Sequence, residues 1–123
     1  MKKVMTENCS VFREEKQLKA CIETIGKLQE KFKNGKITDK GKLFTTEIYE
    51  ILELENMLAM AEIIAKGALD RKESRGGHYR IDYPKRDDKN FLKHSLAYKT
   101  DDGIEIKHKP VVITKHQPAE RTY

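Results

Sequence analysis

The chain has 123 residues, 37% of them charged and 37% hydrophobic, and a net charge of +5. That length allows one domain with one modest core. No apolar run approaches the roughly 20 residues a membrane-spanning helix needs, and the opening MKKVMTENCSVF has lysines with no apolar stretch behind them, so it does not read as a signal peptide.

In chain order, MKKVMTEN reads as the last turns of a helix that begins upstream. Cys9 and Cys21 stand at no metal or redox spacing and read as reduced thiols of a cytosolic-type compartment, Cys21 in a packing role. Residues 11–34, VFREEKQLKACIETIGKLQEKFKN, predict an amphipathic helix, because Leu18, Cys21, Ile22, Ile25, Leu28 and Phe32 recur at three- and four-residue steps. Glu14 and Glu15 sit where a helix dipole favours acids. Asn34-Gly35 predicts an ending in left-handed geometry, followed by the polar loop KITDKGKLF.

A second long helix starts at Thr45 or Thr46, either of which can cap it, and runs to about residue 72. Its apolar pattern changes partway. Ile48, Ile51 and Leu52 share one side early; Met57, Ala61, Ile64 and Ala68 occupy the opposite side later. A helix of a simple bundle keeps one stripe, so this one is expected to change packing partner along its length.

After residue 71 the helical period stops at Gly76-Gly77 and Pro84. RDDKNFLKH predicts a helical turn capped by Asp87 or Asp88, and SLAYKTDDGIEIKH a hairpin turning at residues 100–103. PVVITKH adds one more extended segment. The charge is divided unevenly: residues 1–70 hold 12 basic and 12 acidic residues, and residues 71–123 hold 13 and 8. The expected fold is mainly α, a three-helix, spectrin-repeat-like bundle over residues 1–72. An irregular tail with a short β-hairpin over residues 73–123 packs on the bundle within the same domain.

Chemistry is sparse. There is neither a G-x-G-x-x-G between strand and helix nor a phosphate loop. His78, His94, His108 and His116 make no short metal spacing with the cysteines, and no metal is expected. His78 beside Arg80 and Asp82 suits an acid–base group or, more ordinarily, a hydrogen-bonded interface histidine. Arginines among Tyr79, Tyr83, Phe91 and Tyr98 suit stacking on single-stranded nucleic acid, against which Asp82, Asp87 and Asp88 would repel phosphates. Alternating Arg, Asp and Tyr also suit a desolvated protein interface.

The stretch ALDRKESRGGHYRIDYPKRDDKNFLKHSLAY closely resembles the carboxyl-terminal part of succinate dehydrogenase and fumarate reductase flavoprotein subunits. PVVITKHQPAERTY, MTENCSVFREEKQL and ELENMLAMAEIIAKGAL match the same family in the same order. Ile81 departs from a usual acidic residue and Phe91 from a frequent tryptophan. L-aspartate oxidase has a similar E-S-R-G segment, but Arg80 and the PVVITKH ending favour the dehydrogenase. The resemblance implies a helical carboxyl-terminal domain of a subunit that carries FAD elsewhere, interconverts succinate and fumarate, and passes electrons to an iron-sulfur subunit. That complex would be cytoplasmic or peripheral at the inner face of the membrane. No residue here matches a catalytic motif of that family, so the chain alone is expected to be inactive and to hold no FAD. Arg75, His78, Arg80 and Asp82 are expected to dock on the FAD-binding domain, Gly76-Gly77 to allow close backbone approach, and the isolated domain to self-associate. The alternative is an independent basic module for nucleic acid, although no nucleic acid is expected with the leading reading.

Overall fold

The structure is a computed structural model and describes residues 1–38, 41 and 45–119. Most of the polar loop after the first long helix, and the terminal Arg121 and Tyr123, lie outside the described residues. Helix α1 covers Lys2–Asn8, α2 Glu15–Lys33 and α3 Thr46–Asp70, and the short α4 covers Asp88–Phe91. Strands β1 (Phe12–Arg13) and β2 (Tyr79–Arg80) pair in parallel. Strands β3 (Lys93–Thr100) and β4 (Gly103–Pro110) form an antiparallel hairpin that registers Lys93 with Pro110 and Thr100 with Gly103. The mainly helical fold with a terminal hairpin is the architecture the residue pattern predicts.

The core lies between α1, α2 and α3. Leu18, Cys21 and Ile25 of α2 are completely buried and meet Ala61, Ala65 and Ala68 of α3, with Cys9 at the end of α1. Small alanines on α3 let the two long helices pack closely, since crossing distance follows the side chains at the contact. Lys19–Glu15 and Lys27–Glu23 line the wet side of α2 at i,i+4 spacing.

Several expectations are corrected. The first long helix begins at Glu15, four residues late, because Phe12 and Arg13 form a strand instead. Neither Asn34 nor Gly35 is left-handed; Asn34 has φ −95° and its side-chain amide donates to the Glu30 carbonyl at 3.0 Å. Thr45 stands at the N-cap of α3, but its hydroxyl donates to the Gly41 carbonyl at 2.8 Å and caps no helical N–H. Residues 111–117 form no strand. Asp87, in contrast, caps α4 as expected and accepts from the Asn90 N–H at 3.0 Å.

Helix α3 does not switch its buried side within this chain. It buries Leu58, Ala61, Ala65 and Ala68 as one continuous stripe, with Ile51 half-buried ahead of them. What changes sides is the exposed apolar surface: Ile48, Tyr49 and Leu52 early, then Met57, Met60 and Ile64 on the other flank of the stripe. The hairpin rests on the remaining side of α3. There His108 Nε2 meets Asp70 Oδ2 at 2.7 Å, and Lys66 Nζ donates to the Ile104 carbonyl at 3.3 Å.

Candidate functional site: a polar brace under an apolar platform

The segment after α3 carries Arg71, Glu73, Arg75, Arg80 and Asp82, yet two of these side chains are fully buried: Glu73 and Arg80 are both 0% exposed. Charges are buried only when paired and hydrogen-bonded, and both are. Glu73 accepts from Arg71 Nη1 at 2.6 Å, from Arg75 Nε at 2.8 Å and Nη2 at 3.0 Å, and from the Asp87 N–H at 2.8 Å. Burial pushes its carboxyl up, but the hydrogen bonds from Arg75, Asp87 and Arg71 outweigh it and hold the group below the usual carboxylate range.

Arg80 joins the far ends of two helices. Its Nε and Nη2 clasp Asp82 in a fork, both at 2.7 Å. Its Nη1 donates to the Ala68 and Leu69 carbonyls, at 3.0 and 3.2 Å, which belong to the last turn of α3. Those carbonyls have no partner inside their own helix, and a cation there also complements the helix dipole. Asp82 in turn accepts from the Glu15 N–H at 3.1 Å, at the first turn of α2, where an anion is favoured. The pair therefore ties the end of α3 to the start of α2.

His78 lies between two basic neighbours. Arg13 Nη1 reaches its Nδ1 at 2.7 Å, and its Nε2 lies 3.1 Å from the Arg71 carbonyl. A guanidinium can only donate, so Nδ1 accepts, and Nε2 carries the proton and donates to the carbonyl. Burial lowers the imidazole pKa below its ordinary value, and the Arg13, Arg80 and Arg71 charges add to this against the opposing hydrogen bond to Arg71. The ring thus bridges Arg13 and the Arg71 carbonyl within the brace.

The four expected docking residues are brought together, with in-chain partners. Arg80 has no exposed atom to offer another domain, and Arg75 spends its guanidinium on Glu73 and Asp88. Gly76 has φ +59°, a conformation that favours glycine, and forms the turn between the bridged Arg75 and His78; nothing among the described residues lies within 4 Å of where its Cβ would be. Glu73, Arg71, Arg13 and Ser74 complete the network, and residue-by-residue reading missed them. The signal for Glu73 was present: a carboxylate two residues from an arginine on either side in RKESR.

Above this network lies an apolar platform. Phe12 and Tyr79, paired across β1 and β2, are 65% and 38% exposed, and Val11 and Ile81, which flank the two strands, are 51% and 53% exposed. Phe12 and Tyr79 meet edge to face at 5.5 Å. Three other rings of the segment after α3 lie against cations: Tyr83 by Arg80, Phe91 by Arg71 and Lys93, and Tyr98 by Lys107. Among the described residues no three His, Cys, Asp or Glu side chains converge as a metal site requires. Gly76-Gly77 joins two antiparallel-bridged residues rather than a strand to a helix, so it does not form a dinucleotide cradle. No described helix is long and apolar enough to cross a membrane.

The described residues thus form a helical bundle whose charged loop is turned inward, with exposed apolar side chains beside it. Residues 1–123 match the family model described as fumarate reductase flavoprotein C-term, and the chain belongs to that family. It is 41% identical over 121 residues to the fumarate reductase flavoprotein subunit of Haemophilus influenzae, covering 98% of this chain and 20% of that one. It is 41% identical over 111 residues to the succinate dehydrogenase flavoprotein subunit of Coxiella burnetii, covering 90% and 18%. A solved Escherichia coli quinol fumarate reductase FrdA superposes with a TM-score of 0.92 at 40% identity, over 96% of this chain and 21% of that one. The chain thus spans about a fifth of the length of the curated relatives it matches.

Proposed function

We propose that this chain serves as the structural and docking domain at the carboxyl end of a flavoprotein subunit. The complete subunit would interconvert succinate and fumarate, with FAD bound outside this chain. It would hand electrons to an iron-sulfur subunit in a complex at the inner face of the membrane. The observation that carries the docking role is the inward-turned brace. Every charged group of Glu73, Arg80 and Asp82 is committed inside the chain, while Val11, Phe12, Tyr79 and Ile81 face outward on a surface those bonds hold still. An apolar surface on a rigid support loses little conformational entropy on binding. Arg75, His78, Arg80 and Asp82 then act as positioning residues for the platform, and the reacting groups lie in the other domains.

The test uses the full-length subunit. Phe12→Glu places a charge on the platform without touching the brace. The expected result is a lower melting temperature and less bound flavin per chain, with turnover per bound flavin near the unaltered value. Collapse of turnover per flavin at intact stability and flavin content would assign the platform to the active site instead.

A further inference from the structure

We infer that Met1, Met5, Met57 and Met60 form a binding site for a soft monovalent metal ion, Cu(I), in the cleft between α1 and α3. These are all four methionines of the sequence, and all four line one shallow cavity of about 310 Å³. Each side of the cleft supplies two. Met1 and Met5 stand one helical turn apart, with the Met5 N–H donating to the Met1 carbonyl at 3.1 Å. Met57 and Met60 stand three residues apart on α3, so each pair shares a helix face. Met57 and Met60 are 41% and 54% exposed, which leaves the cleft open to an ion from solvent.

Thioether sulfur is a soft, polarisable ligand that suits Cu(I) and not hard ions. The rest of the described wall, Asn56, Ala61 and Ile64, carries no charge. A divalent ion would bring two charges to a wall with no carboxylate to offset them, so the lining favours a single positive charge. Met5 is held from behind: the Cys21 thiol donates to its Sδ at 3.7 Å. A thioether sulfur has two lone pairs, so one remains for a metal, and supporting bonds of this kind orient metal ligands. Methionine also fills gaps in apolar cores. Packing alone does not gather every thioether of the chain, from residues 1–5 and 57–60, at one opening; the apolar flank on the other side of α3 uses Ile48, Tyr49 and Leu52 instead.

The experiment titrates the 123-residue chain with Cu(I), kept reduced by ascorbate without oxygen, against a chromophoric Cu(I) chelator. Nuclear magnetic resonance of isotope-labelled methionine methyl groups reports which sulfurs bind. The expected result is a single site per chain, shifts of all four methyl signals, and no comparable binding of Zn(II). The double change Met57→Leu and Met60→Leu preserves side-chain volume. It should leave the melting temperature near that of the parent and weaken Cu(I) binding by more than about tenfold, the least that loss of even a supporting group usually costs. Thioethers have no proton to lose, so the affinity should be equal at about pH 6 and pH 7. Binding through Cys9 and Cys21 would instead tighten about tenfold per pH unit for each thiol proton released. Unchanged affinity in the double variant, or affinity rising in that way with pH, overturns the inference, and so does an ion that leaves the Met57 and Met60 signals in place.

Discussion

Replacing Arg80 by alanine should be among the most damaging single changes in this chain. The guanidinium is completely buried, forks onto Asp82 and supplies donors to the Ala68 and Leu69 carbonyls. Arg80→Ala leaves those two carbonyls without a partner at about 1–3 kcal/mol each. Asp82 suffers less, because its side chain is 31% exposed and keeps the Glu15 N–H. The contact to the Arg71 carbonyl at 3.4 Å is too long to count for much. The combined loss is about 3–5 kcal/mol, the range found when one partner of a buried pair is removed. A domain of this size has only about 5–15 kcal/mol in total, so the melting temperature should fall by about 10–20 °C. Circular dichroism at 222 nm during heating, with a parallel urea titration, measures this. Lys27→Ala on the exposed side of α2 is the comparison and should show no resolvable change. An Arg80→Ala midpoint within 2 °C of the parent would mean that the brace contributes nothing, and the account of the loop as a tie between two helices would be wrong.

Acid should weaken the fold through His78. Its folded pKa lies below the ordinary 6.5, so the unfolded chain binds the proton more readily; its contribution is fully present above about pH 6.5 and is lost as the pH falls through the folded pKa. His78→Gln should flatten the stability slope just below about pH 6.5, above the range in which the Glu73 and Asp82 carboxyls, both held low, titrate; an unchanged slope would exclude His78 as its source. The Cys21 thiol is pushed up to about 11, chiefly by burial and then by the neighbouring Cys9, whose own thiol burial also raises. Both should resist alkylation at pH 8 in the native chain and react fully in urea, and native labelling at free-thiol rates would contradict the packed α1–α2 contact. The purified 123-residue chain should show no flavin absorbance after gel filtration, and a stoichiometric band would place part of the cofactor site here.

Local sequence determined the parts of this protein whose physics is local. The three- and four-residue recurrence from Leu18 to Ile25 gives α2 its buried face, and Asp87 caps α4 by a bond that spans only to Asn90. The Thr100–Gly103 turn sets the hairpin register, with Gly103 at φ +114°. The family, too, was legible, because its motifs run in order along nearly the whole chain. Tertiary structure alone decided what the charged loop does. Arg80 and Asp82 are two residues apart, but their other partners are Ala68 and Leu69 at the end of α3 and Glu15 at the start of α2, which lies 67 residues before Asp82. Phe12 and Arg13 look like the first turn of an amphipathic helix until β2 offers them strand hydrogen bonds. Composition makes such a segment look like a charged surface, because it counts the charges and not their partners. Only the fold brings the helix ends close enough to absorb those charges, and so turns the apolar neighbours Phe12, Tyr79 and Ile81 outward.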